Sequence, residues 1–131
     1  MPYQVSWLVE DRVLYFELYG VFKNADFHAM MTEGRELVDG GTAPVHIITD
    51  MSAVETTEVG MEDFKRRGRD RSPNLGFSVN VTPRRPERFV SSVAARIMGF
   101  NTRHFASVEK AIEFLQRMDE SLPDMDVPAR L

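Results

Sequence analysis

The stretch "PVHIITDM", residues 44 to 51, decides the fold. Its nearly continuous run of apolar and β-branched residues is typical of a short strand buried on both faces, as in a parallel sheet covered by helices. The polar residues Ser52, Thr56 and Thr57 that follow Asp50 indicate a loop. Because open α/β sheets bind ligands beyond the carboxyl ends of their strands, Asp50 is the first candidate functional residue. The alternative is that its carboxylate only accepts hydrogen bonds from the backbone of the turn that follows.

The residues before this strand predict a hairpin and a helix. "YQVSWLVE" and "RVLYFELYGVF" alternate with the two-residue period of strands, and Glu10 and Asp11 between them predict a tight antiparallel turn. Asn24 is the predicted cap of a helix that ends at Gly40 and Gly41. The helical stripe that faces the sheet consists of Phe27, Met30, Met31, Gly34, Leu37 and Val38.

The residues after it predict a further alternation of helices and strands. A short helix is expected from about Met61 to Arg67, followed by a strand in "LGFSVNVTP". A longer helix is expected from Pro86 to Met98, since proline suits a first helical turn and a glycine follows the helix. "FNTRHF" predicts a short closing strand, and Ser107 is the predicted cap of the last helix.

The predicted element order is therefore β, β, α, β, α, β, α, β, α, which is typical of the α/β class. Helical crossovers between strands imply a mostly parallel sheet of about five strands, opened by the antiparallel hairpin and covered by about four helices. We expect a single domain over residues 1–120. Residues 121–131 lack periodicity and contain two prolines, so we expect them to form a loosely ordered tail.

Composition excludes several classes of protein. The chain has 131 residues and no cysteine, so disulfides, thiolate catalysis and sulfur-ligated zinc are excluded. No apolar run approaches the roughly 20 residues that cross a bilayer, and the N-terminus lacks the pattern of a secretory leader. We therefore expect a cytoplasmic protein that does not insert into membranes.

The net charge of -4 is unevenly distributed. Residues 61–103 hold ten basic and four acidic residues, which makes this segment +6 and the remainder -10. The candidate anion-binding patch in this segment consists of Arg66, Arg67, Arg69, Arg84 and Arg85. The alternative is a solvated surface. Nucleic-acid binding is disfavoured, because the arginines lack interleaved aromatic residues and the whole chain is acidic.

Catalytic and metal-binding motifs are absent from the sequence. No nucleophile elbow or phosphate-binding loop occurs, and no Asp-x-Asp or His-x-x-x-His spacing accompanies Asp50. His28, His46 and His104 are expected to be packed or surface residues. We therefore expect no enzymatic activity, no cofactor and no metal.

The aromatic residues of the first hairpin, including Tyr3, Trp7 and Tyr15, suggest two alternatives. They belong either to a core beneath helices or to an exposed edge hairpin that pairs with a second copy of the chain. The second alternative predicts a homodimer.

Four segments carry a resemblance to a known family: "YFELYGVFKNADF", "PVHIITDMSAV", "PERFVSSVAARIMGF" and "TRHFASVEKAIEFL". In element order and hydrophobic pattern they resemble the STAS domains, in particular the SpoIIAA-like, anti-sigma factor antagonist-like bacterial branch, which is related to the CRAL-TRIO fold. The resemblance spans most of residues 12–118. It implies a noncatalytic regulatory or protein-interaction module in a bacterium.

The resemblance also implies a functional surface. Asp50, Ser52 and Val54 match the "Asp-x-Ser-x-Val" part of the phosphorylated STAS proteins, and the next six residues depart from it because they contain Thr56 and Thr57 but no serine. The candidate surface for a partner or a phosphorylation switch therefore comprises Asp50, Ser52, Thr56 and Thr57. The CRAL-TRIO side of the resemblance, with eight methionines in the chain, implies the alternative of a carrier for an apolar or lipid-like small molecule.

Overall fold

The computed structural model of the chain describes residues 2–67, 71–82 and 101–128. The helix predicted over residues 86–98 lies outside the described residues. The described elements are β1 (Tyr3–Val9), β2 (Val13–Phe22), α1 (Asn24–Asp39), β3 (Val45–Thr57), α2 (Met61–Arg67), β4 (Leu75–Val81), β5 (Asn101–Phe105) and α3 (Val108–Met118).

The strands form one sheet in the order β1-β2-β3-β4-β5. β1 pairs antiparallel with β2, and each of the other neighbouring pairs is parallel. This confirms the α/β class, the five-stranded mixed sheet and the opening hairpin. α1 connects β2 to β3 and α2 connects β3 to β4, as parallel neighbouring strands require a crossover connection.

Alternate residues of β2 supply two separate cores. Leu14, Phe16 and Leu18 point towards α1 and pack with Phe27 and Met30 on its buried face. This packing confirms the helical stripe expected over α1. At the edge, the Tyr3 hydroxyl donates a hydrogen bond to Glu33 Oε1 at 2.8 Å, and burial together with this carboxylate raises the pKa of Tyr3 to about 12.

The second core lies on the other face of the sheet, beneath α3. Val13, Tyr15 and Ile48 pack here against the buried face of α3, which starts after the predicted cap Ser107. The Ser107 hydroxyl accepts a hydrogen bond from the Lys110 N–H at 3.3 Å. Leu122 and Met125 also pack against this core, although they belong to the segment that was expected to form a loose tail.

The start of α1 differs from the expectation by one residue. The cap is Lys23, and its N–H donates to Asp26 Oδ2 at 3.0 Å, whereas Asn24 is already helical. Asn24 is not the cap because its amide is engaged elsewhere: Nδ2 donates to Glu58 O at 3.1 Å and to Asp63 Oδ2 at 2.8 Å. The Asn24 side chain, whose residue type had suggested a cap, thus makes tertiary hydrogen bonds instead.

Candidate interaction surface at the end of β3

β3 continues well past Asp50, which corrects the loop expected from Ser52 onward. β2 supplies parallel partners as far as the pair Phe22 and Thr57, whereas β4 pairs with β3 only as far as Asp50 and Val81. The last part of β3 is therefore a ribbon with β2. Among the described residues no strand pairs with β3 on its other side here.

Asp50 lies at a bulge in this strand. The partner of Glu17 is Asp50 and the partner of Tyr19 is Ala53, so β3 contains one residue more than β2 between these pairs. Asp50 Oδ1 accepts hydrogen bonds from Ser52 N at 3.0 Å and from Ser52 Oγ at 2.7 Å. The carboxylate thereby satisfies backbone and side-chain donors that the irregular pairing brings next to it.

Asp50 itself does not belong to an accessible surface, which corrects that part of the expectation. It is 1% exposed, and its second oxygen, Oδ2, accepts a hydrogen bond from the Tyr15 hydroxyl at 3.0 Å. A protein partner therefore cannot contact Asp50 directly. The carboxylate instead accepts hydrogen bonds from Ser52 and from Tyr15, and it thereby connects Ser52 to the second core.

The hydroxyl groups of Ser52, Thr56 and Thr57 differ in their availability. Ser52 Oγ donates to Asp50, and Thr57 Oγ1 donates to Phe22 O at 2.9 Å. Thr57 Oγ1 also accepts from Val59 N at 3.1 Å, so the Thr57 hydroxyl has both a donor and an acceptor role within the fold. Thr56 is exposed, and its hydroxyl has no hydrogen bond within the part of the chain that the structure describes.

An apolar residue of β2 lies beside Thr56. Val21 pairs with Thr56 in the parallel register and is 48% exposed. We define the β3-end surface as Val21, Ser52, Thr56 and Thr57. Sequence reasoning missed Val21, although the strand alternation that buries Phe22 indicates that its neighbour points to the opposite face. An exposed valine therefore lies next to a hydroxyl that has no hydrogen bond among the described residues.

The segment after β3 is fixed to both neighbouring helices. Asp63 Oδ2 accepts a hydrogen bond from Gly60 N at 3.0 Å, and Asp63 Oδ1 lies 3.1 Å from His28 Nε2 on α1. The hydrogen bond from Gly60 is the main reason that the pKa of Asp63 is lowered, and Asn24 and His28 add to this effect. The contacts of Asp63 with Gly60 and His28 consequently hold the segment after β3 in place.

The hydroxyls of the β3-end surface do not lie at a helix start. Thr56 and Thr57 belong to β3, and α2 begins four residues later at Met61. A phosphate on either hydroxyl would therefore not receive the backbone N–H groups of a helix N-terminus. It would instead lie between the exposed side chains of Glu55 and Glu58, which repel an added negative charge.

The candidate anion-binding patch is only partly described. Arg66 is exposed on α2, whereas Arg67 is half-buried and its Nη1 donates to Thr32 Oγ1 on α1 at 3.2 Å. Arg67 thus contributes to the contact between α2 and α1. Arg69, Arg84 and Arg85 lie outside the described residues.

A polar network at the end of α3 contains His46, which is 2% exposed. His46 Nε2 lies 2.8 Å from Asp119 Oδ2, and His46 Nδ1 accepts a hydrogen bond from Phe77 N at 3.0 Å. Because the backbone N–H can only donate, these partners assign the ring proton to Nε2. Both ring nitrogens are engaged in the fold, so His46 has no nitrogen directed towards a substrate.

Asp119 is the centre of this network. Besides His46, Asp119 Oδ2 accepts from Arg12 Nη2 at 2.9 Å, and Asp119 Oδ1 accepts from Ser121 N at 3.1 Å. The hydrogen bonds from His46 and then Ser121 lower the pKa of Asp119 to about 2. Sequence reasoning missed this residue, because Asp119 follows a helix without any local motif that indicates a partner 73 residues away.

A cleft between α1 and the sheet has a volume of about 70 Å³. It is lined by Phe16, Met30, Met31, Gly34, Arg35, Val38, Ile47, Thr49, Arg71, Ser72, Leu75 and Ser78. The volume is far below the roughly 300–1,000 Å³ of ordinary ligand pockets. A carrier of a lipid-like molecule would need a larger cavity than this cleft provides.

Two further properties concern the described residues only. Within residues 2–67, 71–82 and 101–128, no helix combines the length and the apolar composition that crossing a bilayer requires. In the same ranges, no three histidine, aspartate or glutamate side chains are grouped so that they could hold a metal ion.

Solved structures with the same architecture exist. An uncharacterised protein from Shewanella loihica, of the DUF3478 family and described as having a SpoIIAA-like fold, aligns with a TM-score of 0.63 and 14% identity over 86% of this chain and 91% of that chain. The anti-sigma factor antagonist SpoIIAA in its unphosphorylated form aligns with a TM-score of 0.52 and 11% identity, over 88% of this chain and 96% of that chain. No family model and no curated protein sequence matches the chain. These alignments confirm the SpoIIAA-like, STAS-like fold expected from the sequence.

Proposed function

We propose that this SpoIIAA-like chain is a noncatalytic, cytoplasmic regulatory module that binds a protein partner through the β3-end surface and acts as a homodimer. The observation that carries the proposal is the exposed pair of Val21 and Thr56 on the ribbon of β2 and β3. An apolar side chain next to an uncommitted hydroxyl can lose water and gain a hydrogen bond in the same contact.

Hydrogen bonds within the fold hold the backbone and side chains around this surface in place. Asp50 holds Ser52, Phe22 O holds the Thr57 hydroxyl, and Asp63 holds Gly60. A partner that docks on a preorganised surface loses less conformational entropy than one that orders a loop. The same contacts engage the polar groups that an enzyme would need for proton transfer. The similar protein SpoIIAA is itself described as an anti-sigma factor antagonist, which supports a regulatory role for this fold.

Photo-cross-linking in cells that produce the protein tests the partner surface. A benzophenone amino acid at Thr56 is compared with the same group at Glu113, an exposed position of α3. We expect one discrete cross-linked protein from position 56 and none from position 113. Val21→Asp should abolish this product, since it places a charge where the partner packs.

The negative outcomes of this experiment are specific. Equal products from both positions, or a product from position 56 that survives Val21→Asp, would contradict recognition at the β3-end surface. Because the probe occupies position 56, Thr56→Glu and Thr57→Glu are tested by co-purification of the cross-linked partner once it is identified, and they separate the two hydroxyls. A charge at the free Thr56 should weaken capture with the fold intact, whereas Thr57→Glu removes the hydrogen bond to Phe22 O and should lower stability as well.

A further inference from the structure

The outer edge of β1 offers backbone hydrogen-bonding groups in a fixed pattern. Tyr19 N donates to Pro2 O at 2.9 Å, so these directly opposite residues form a hydrogen-bonded pair. Since such pairs alternate along an antiparallel ladder, Gln4 and Ser6 also face β2 with their N–H and C=O groups. The N–H and C=O groups of the residues between them, including Val5, therefore point away from the sheet.

No described strand uses these groups. The sheet order begins with β1, and within residues 2–67, 71–82 and 101–128 no strand lies on its outer side. An edge of this kind is a template for another strand, and many proteins block such edges with charges, prolines or short strand length.

β1 carries none of these blocking features. Its seven residues, "YQVSWLV", contain no charge and no proline. The strand at the opposite end of the order, β5, has five residues and includes Arg103. The two ends of the sheet therefore differ, and β1 is the one suited to pairing.

We propose that β1 pairs antiparallel with β1 of a second copy about a twofold axis at Val5. With this axis, the outward groups of Val5 meet those of Val5 in the second copy, and the outward groups of Tyr3 meet those of Trp7 in the second copy. Every outward group from Tyr3 to Trp7 then has a partner. The result is a continuous ten-stranded sheet from two five-stranded ones.

A second copy fits this edge because the strand is complementary to itself. A twofold axis brings each residue near equivalent residues, so a charge on β1 would meet a like charge. The uncharged strand avoids this repulsion. Gln4 of one copy would lie directly opposite Ser6 of the other, and both side chains are exposed in the single chain. This inference rests on the proposed homodimer and is independent of the proposed partner surface on β3.

A charge-pairing experiment tests this register. In Gln4→Lys/Ser6→Lys, two lysines face each other at both symmetric positions, and we expect the dimer dissociation constant to rise about tenfold. In the matched control Gln4→Lys/Ser6→Glu, each lysine faces a glutamate of the second copy, and the dissociation constant should stay near that of the unsubstituted chain. Both positions are exposed in the single chain, so neither variant should unfold the monomer. Sedimentation equilibrium measures the constants.

Each result has a distinct meaning. A chain that remains monomeric at the highest concentration would overturn both the homodimer and the β1 pairing. A dimer that Gln4→Lys/Ser6→Lys leaves unchanged would overturn the β1 register but not the homodimer. Equal weakening in both double variants would show that lysine at position 4, rather than charge opposition across the axis, is responsible, and would also overturn the register.

Discussion

Asp119→Ala is expected to destabilise the fold by about 3 kcal/mol, most of it through His46. The substitution leaves the Nε2–H of His46 without an acceptor in a residue that is 2% exposed, which costs about 1–3 kcal/mol. Arg12 also loses the carboxylate, but its side chain is 18% exposed and its Nε still donates to Pro44 O at 3.1 Å. Its share should therefore be about 0–1 kcal/mol.

Urea unfolding followed by circular dichroism measures this effect at pH 7. In thermal unfolding, a loss of about 3 kcal/mol in a chain of 131 residues corresponds to a fall in Tm of about 10 °C. The matched control is Asp124→Ala, which removes an exposed aspartate five residues further along the same tail and should change Tm by less than about 2 °C. A loss below about 1 kcal/mol for Asp119→Ala, or equal losses in the two variants, would refute the role assigned to the network.

Two other predictions concern the same region. Because the pKa of Asp119 is lowered to about 2 from an ordinary 3.8, its contribution to the free energy of unfolding is complete above about pH 4 and lost as the pH falls towards 2. In an acid titration, the free energy of unfolding should fall less over this range in Asp119→Ala than in the unsubstituted chain. Parallel curves for the two proteins would contradict this. Gly76→Ala should destabilise the fold by about 1–3 kcal/mol, because the new Cβ would lie 2.5 Å from His46 Nδ1. In Gly60→Ala the Cβ meets nothing within 4 Å, so thermal melts should show a clearly smaller effect, and equal shifts would argue against the clash.

Periodicity was sufficient for most of the architecture. The alternation in "RVLYFELYGVF" and the helical stripe over α1 reflect burial on one face of a regular element, so they can be read without knowledge of the partners. The length of β3 could not be read in this way. Its last residues are polar and exposed, and they remain extended because β2 supplies partners as far as Phe22.

The candidate site was less predictable than the fold. The residue type of Asp50 indicated hydrogen bonds from the backbone that follows it, and Ser52 N donates one at 3.0 Å. The hydrogen bond between buried Asp50 and the Tyr15 hydroxyl joins residues 35 positions apart, so residue type alone does not indicate it. The engagement of Asn24 by Asp63 likewise joins residues 39 positions apart, so capping preference alone placed the helix start one residue late.

The network around Asp119 also has a consequence for the order in which the chain can fold during synthesis. Arg12 and Asp119 are 107 positions apart, so the N-terminal strands are translated long before the carboxylate that binds Arg12 and His46. Until then the buried imidazole of His46 lacks one of its two partners. A nascent chain stalled before residue 119 should therefore remain sensitive to protease in β2 and β3, and protection should appear once Asp119 has left the ribosome.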